Sequence, residues 1–239
     1  MKQRLFVDMD GTLAEFKQID KLETLYEPGY FLTLRPDTNV LNAIKEIISN
    51  SPDIDVHILS SVLTDSKYAL DEKNAWLDIY LPEVNPQNRI FPPCGENKKD
   101  YIPQGIKSSD CLLDDYTKNL NSWQPPAIGI KILNDINDTN RTWKFNKVDH
   151  HSNSTQLAND ILSCMKSDEL RHQNEINAAL IHDNDIDLDK QKTREQHGFS
   201  DNKKNSFADR LQSATQKAAE QNSLLSEKKN EQNKQKNLE

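Results

Sequence analysis

No run of this 239-residue chain approaches the ~20 apolar residues that a membrane-spanning helix needs, so membrane insertion is not expected. Basic charge is also scarce. The 30 Lys and Arg stand against 38 Asp and Glu, for a net charge of -8. A surface that grips a nucleic-acid polymer needs clustered Lys and Arg, and that class is set aside. The three cysteines, Cys94, Cys111 and Cys164, are odd in number, widely spaced and without a CxxC pair. Their spacing excludes a disulfide frame or a cysteine zinc site and suits reduced, mostly buried thiols. An apolar leader is missing as well, because the run Leu5-Phe6-Val7 stops at Asp8; a cytoplasmic protein is expected.

What is present begins with Leu5-Phe6-Val7-Asp8-Met9-Asp10-Gly11-Thr12. The apolar run reads as a buried strand that ends in two carboxylates and a glycine. A parallel strand that stops in polar residues delivers them to the carboxyl edge of its sheet, where open α/β folds keep their sites. Gly11 lets the backbone turn sharply, and Thr12 adds a hydroxyl just beyond. One carboxylate of such a pair can attack while its neighbour moves a proton and a metal ion balances the charge.

Asp8-Met9-Asp10-Gly11-Thr12 resembles the signature of the haloacid dehalogenase (HAD) superfamily, mostly phosphoryl-transfer enzymes. In that superfamily the phosphatases carry the second Asp as a general acid, whereas dehalogenases and P-type ATPases lack it. The resemblance therefore implies hydrolysis of a phosphate ester.

Beyond the first strand, residues 14–35 are neither a clean helix nor a strand and are broken by Pro28-Gly29; they read as a small inserted cap. Asp37 or Thr38 can cap a helix with Leu41, Ile44, Ile47 and Ile48 at helical spacing. Ile54 to Leu59 reads as a second strand, ending in Ser60-Ser61, with no catalytic role for His57. Asp65 or Ser66 starts a helix that Pro82 stops.

Arg89-Ile90-Phe91 reads as a third strand, followed by a polar turn with Lys98-Lys99. Asp110 to Asp115 repeats the first strand's pattern, an apolar run closed by two carboxylates. Ala127 to Leu133 reads as a fifth strand, and Ser154 to Met165 as a closing helix. Strands alternating with helices predict a Rossmann-like α/β fold, a parallel sheet flanked by helices.

The body is expected to span 1–166 and a polar, partly helical or disordered tail 167–239, a segment suited to a protein partner. Within the tail, His182 to Asp189 begins like a calcium loop. Leu188 stands where that loop needs Gly and Arg194 where it needs Glu, so an acidic linker is the better reading. His150-His151 reads as a surface pair, because no third ligand stands beside it in the sequence.

Asp8 with Asp10, Ser60 with Ser61, Lys98 with Lys99, and Asp114 with Asp115 thus fall at strand ends or just after them. Phosphoryl transfer needs a nucleophile, a proton donor, positive charge around the transferred oxygens and a divalent cation. Hard carboxylate oxygens favour Mg²⁺. Asp8 is assigned as nucleophile and Asp10 as acid and base. The Asp8 carboxylate, the Asp10 carbonyl and one or both of Asp114 and Asp115 are assigned to the metal. Ser60 is assigned to the phosphoryl oxygens, and Lys98, in preference to Lys99, to the remaining charge.

The resemblance narrows over Leu5 to Leu133. Asp8 to Thr12, Pro28 to Pro36, Ile58 to Ser61 and Leu112 to Leu120 are similar to the cytosolic-type 5'(3')-deoxyribonucleotidases. Those are Mg²⁺-dependent HAD phosphatases with a small helical cap that act on deoxynucleoside monophosphates. The resemblance places Phe16 and the Tyr30-Phe31 pair along the base pocket, with Ser61 also at the substrate. Where the family commonly has Thr then Ser, this chain has Ser60-Ser61; a hydroxyl is retained, and base choice is left open. The expected activity is hydrolysis of nucleoside monophosphates, chiefly pyrimidine deoxynucleotides, through an aspartyl phosphate. A broad small-molecule HAD phosphatase and a non-catalytic HAD-fold binding module with an interaction tail are the alternatives.

Overall fold

A computed structural model describes residues 2–16, 19–124, 127–137 and 143–166 of the chain. The tail, including His182 to Asp189, lies outside the described residues.

The described residues hold six parallel strands in the order β3-β2-β1-β4-β5-β6. They are β1 (Gln3–Val7), β2 (Ile54–Leu59), β3 (Arg89–Ile90), β4 (Cys111–Asp114), β5 (Ile128–Leu133) and β6 (Lys147–Asp149). From β1 the chain first winds outward to β3, then returns to β4 on the other side of β1 and winds away to β6. The point of reversal between β1 and β4 opens a crevice at the carboxyl ends of those strands. Register is tight there, with Val7 opposite Leu113 and Asp8 N–H donating to the Leu113 carbonyl at 2.9 Å.

Period-two alternation sorts the residues of β1 between the two faces. Phe6 joins Leu112, Leu120, Trp123 and Trp143 in one apolar cluster, beneath α3 (Thr117–Trp123). The Phe6 ring lies 5.3 Å from Trp123, edge-on, and 5.0 Å from His57. His57 is therefore a packing residue in β2, with Asp55 3.1 Å from its Nε2.

Helix α1 (Thr38–Asn50) starts where Asp37 Oδ1 accepts from Val40 N–H at 3.1 Å. It buries Val40, Leu41, Ala43, Ile44 and Ile47 on one stripe and packs on α4 (Ser154–Lys166). Helix α2 (Ala69–Tyr80) begins three residues after Ser66, whose hydroxyl accepts from Ala69 N–H at 3.3 Å.

Two expectations change in detail. The inserted stretch after β1 holds a single 3-10 helix, Leu22–Tyr26, among its described residues, and is otherwise built of turns and irregular chain. It is tied to the body by Glu72 of α2, which accepts backbone N–H bonds from Gly29 at 2.5 Å and Phe31 at 3.0 Å. Trp76 Nε1 adds a 2.8 Å bond to the Leu34 carbonyl. The second change is β6, a sixth strand that the sequence did not announce. Val148 is its one buried residue, too little for a period-two pattern.

Candidate active site

The carboxyl edge of the sheet gathers nearly every singled-out polar residue. Asp8 follows β1 directly, Ser60 follows β2, Asp114 ends β4 and Asp115 comes next. Lys98 arrives from a 3-10 turn, Lys98–Tyr101, between β3 and β4. Its ammonium lies 2.8 Å from Asp8 Oδ1 and 2.6 Å from Asp114 Oδ2, joining β1 to β4 through one buried cation. Lys99, one position on, is half-buried.

Asp114 is held on both oxygens, Oδ1 by Tyr116 N–H at 2.7 Å and Oδ2 also by Asn119 Nδ2 at 3.0 Å. Asp115 Oδ2 accepts from Asn134 Nδ2 at 2.8 Å and Asn137 Nδ2 at 2.5 Å. Asn134 also donates to the Gly11 carbonyl at 2.7 Å, clamping the turn after β1 to the turn after β4. Gly11 adopts φ +80, and a Cβ there would stand 2.8 Å from Asp115 Cγ. Only glycine lets the two turns close this far.

Asp10 leans the other way. Its Oδ2 pairs with the Nζ of Lys73, while Oδ1 is buried with no hydrogen-bond partner among the described residues. The Lys73 ammonium donates further to Ser60 Oγ at 3.1 Å and to the Ser61 carbonyl at 2.6 Å. Sequence reasoning missed Lys73, although a signal was present. It lies on the buried stripe of α2 with Ala69, Trp76 and Leu77, where a lysine is out of place unless it is paired. Asn134 was missed too, and it stands directly after β5, where the strand-end rule would have caught it.

The aromatic residues assigned to the base pocket fall partly around this centre. Tyr30 and Phe31 are buried and meet edge-to-face at 5.0 Å, with the Lys73 ammonium 4.9 Å from the Phe31 ring centre. The Tyr30 hydroxyl is buried and has no hydrogen-bond partner among the described residues. Phe16 is half-buried and follows Ala14, whose backbone bridges both Asp10 and Pro36.

Electrostatics mark the centre as strained by its own charge. Burial pushes the Asp115 carboxyl up to about 7, and the negative charges of Asp114 and Asp8 add to it. Burial likewise lifts Asp114 to about 6 against the pull of Lys98. Asp10 is raised by burial, opposed by Lys73. Its side chain keeps 17% exposure, yet Oδ1 is fully enclosed, and that enclosure decides the direction. For Lys98 burial acts downward, but Asp114 and Asp8 outweigh it and hold the ammonium above its ordinary range. The Tyr30 hydroxyl is pushed up to about 12 by burial, then by Asp10.

A divalent cation fits this donor set. Asp8, Asp114 and Asp115 are all buried and each offers a carboxylate oxygen, the three lying within 4.8 Å of one another. Four carboxylates stand against the two ammoniums that pair with their side chains, and the negative charge of neighbouring carboxylates adds to the burial that raises Asp114 and Asp115. Hard oxygen donors in that number suit a cation such as Mg²⁺.

At the neighbouring edge the His150-His151 surface pair meets a residue that the sequence does not place beside it. His150 and His151 do have a third potential ligand beside them: Asp135 Oδ2 lies 2.8 Å from His151 Nε2. Asp135 is sixteen residues away in the chain, so only folding brings it there.

The family described as "5' nucleotidase, deoxy (Pyrimidine), cytosolic type C protein" matches residues 15–164. The match begins just after the Asp8 to Thr12 turn and takes in Ser60, Lys73, Lys98, Asp114, Asp115 and Asn134. The human cytosolic-type 5'(3')-deoxyribonucleotidase is 28% identical over 116 residues, with coverage of 33% of this chain and 57% of that protein. This chain thus spans little more than half the length of that relative. No helix among the described residues is long and apolar enough to cross a membrane.

Proposed function

Because the chain belongs to the deoxy (pyrimidine), cytosolic type C 5'-nucleotidase family, we propose that it is a Mg²⁺-dependent phosphatase of nucleoside monophosphates, chiefly pyrimidine deoxynucleotides. The observation that carries this reading is Lys98, whose ammonium touches Asp8 of the first strand's turn and Asp114 of the fourth strand at once. It brings a nucleophile and metal-binding carboxylates to one point.

Asp8 attacks the phosphorus of the monoester, and the bond to the nucleoside oxygen breaks as the Asp8 acyl phosphate forms. Asp10, whose carboxyl burial keeps protonated more readily than usual, gives its proton to the departing oxygen. Asp10 then removes a proton from water, which attacks phosphorus and frees inorganic phosphate from Asp8. Ser60 accepts from Lys73, which leaves the Ser60 O–H to donate to a phosphoryl oxygen. Ser61 lies beside it, its carbonyl held by the same lysine. Lys98 offsets charge and fixes the Asp8 rotamer. Asp8, the Asp10 carbonyl and one or both of Asp114 and Asp115 would hold Mg²⁺, which when bound would supply positive charge to the phosphoryl oxygens.

Tyr30, Phe31 and Phe16 supply the apolar faces on which a base stacks. We assign the catalytic body to 1–166, place the protein in the cytoplasm, and leave contact with a protein partner to the tail 167–239. The test is phosphate release from dUMP and dTMP with and without Mg²⁺, beside sugar phosphates as competitors. Activity on the nucleotides that Asp8→Asn abolishes is expected. Equal activity on sugar phosphates would refute the nucleotide assignment, and full activity in Asp8→Asn would refute the mechanism.

A further inference from the structure

Asp135, His150 and His151 converge at the carboxyl ends of the last two strands. Leu133 of β5 pairs in register with Asp149 of β6, so the residues two past each partner, Asp135 and His151, leave the sheet level with one another. Their donor atoms face inward. His150 Nε2 lies 3.2 Å from His151 Nε2, His151 Nε2 lies 2.8 Å from Asp135 Oδ2, and His150 Nε2 lies 3.6 Å from the same oxygen. A tetrahedral zinc ion with bonds of about 2.0–2.1 Å sets its ligand atoms about 3.3 Å apart. The observed triangle brackets that spacing.

The remaining nitrogen of His150 is committed elsewhere. Its Nδ1 is 2.7 Å from Asp37 Oδ2, while Asp37 Oδ1 caps α1 through Val40 N–H. A carboxylate on one ring nitrogen fixes the tautomer, so that the lone pair of the other nitrogen points outward; metal-binding histidines carry this kind of support. Asn39 Nδ2 holds the His150 carbonyl at 2.9 Å, and His151 N–H donates to Asp149 Oδ1 at 2.9 Å, fixing the turn that carries both rings. Asp135 itself takes the left-handed conformation at φ +64 to aim into the triangle.

We propose that Asp135, His150 and His151 form a second metal site, taking a zinc-class divalent cation with its fourth position open to water. Two imidazoles and a carboxylate select a transition metal over Mg²⁺, in contrast to the all-oxygen cluster of Asp8, Asp114 and Asp115. The site is a clamp. It joins β6 and the start of α1 to the 134–137 turn, whose Asn134 and Asn137 hold Asp115.

The test is a competition titration of the full chain, stripped of metal and kept in saturating Mg²⁺, against a chromophoric zinc chelator. One zinc equivalent of micromolar or tighter affinity is expected, with a zinc-dependent rise in thermal midpoint. Cobalt(II) in its place should give the intense visible bands of a four-coordinate site. His151→Ala and Asp135→Ala, both at exposed side chains, should each abolish the tight equivalent and the rise in midpoint. Asp37→Asn, which keeps a capping side chain, should weaken zinc about ten-fold. Asp8→Asn should bind as the wild type does. No tight equivalent, or one that survives both His151→Ala and Asp135→Ala, overturns the proposal.

Discussion

Replacing Gly11 with alanine tests whether the closeness of the turns after β1 and β4 matters. Gly11 has φ +80, and an alanine forced there costs roughly 1–2 kcal/mol of backbone strain. Steric conflict comes on top, since the new Cβ would lie 2.8 Å from Asp115 Cγ. Asp115 must then swing away from Asn134 and Asn137, and hydrogen bonds to a charged group are worth about 1.5–3 kcal/mol. The sum is about 2.5–5 kcal/mol.

Gly105 is an internal control, with φ +76 and nothing among the described residues within 4 Å of where its Cβ would stand. It sits at the opposite edge of the sheet, its carbonyl accepting from Arg4, which also pairs with Asp110 at the start of β4. Gly105→Ala carries the strain alone. Urea unfolding should therefore separate the two variants by about 1.5–3 kcal/mol. Mg²⁺ titration of nucleotidase activity should show at least a ten-fold weaker metal requirement curve for Gly11→Ala and no change for Gly105→Ala. Equal losses in both variants would show that Asp115 does not depend on the glycine, and the site geometry argued here would be wrong.

Lys73→Met removes the cation that opposes protonation of Asp10. It should destabilise the protein by about 3 kcal/mol and move the alkaline limb of the rate profile to higher pH; an unmoved limb would exclude Asp10 as the acid. Without metal, stability should fall as pH rises. Asp115 binds its proton up to about 7 in the folded chain but only to its ordinary 3.8 when unfolded. That contribution is present in full below about 4 and is lost by about 7, on the order of 4 kcal/mol, while saturating Mg²⁺ should flatten the trend. A flat profile in the metal-free protein, followed by calorimetry from pH 4 to 8, would contradict the buried-charge account. Glu72→Gln weakens the acceptor of the Gly29 and Phe31 N–H groups. KM for the nucleotide should rise several-fold with kcat little altered, if the inserted stretch serves the base and not the chemistry.

Much of the fold was legible because its signals are local. Leu5 to Val7, Ile54 to Leu59 and Cys111 to Leu113 are short apolar runs closed by polar residues, and a parallel sheet places all such closures on one edge. Asp8, Ser60 and Asp114 needed nothing more. Strand β6 escaped because an edge strand with one buried residue carries no pattern.

Composition and periodicity by themselves determined that a parallel sheet forms and that carboxylates line its carboxyl edge, since each strand reports its own face and its own end. Tertiary structure alone decided that Lys98 bridges Asp8 and Asp114, that Lys73 reaches Asp10 from a helix, and that Asp135 meets two histidines fifteen and sixteen residues on. Those meetings depend on the register between strands and on how a turn exits the sheet. Both are set by packing among distant parts of the chain, and no neighbouring residue encodes them.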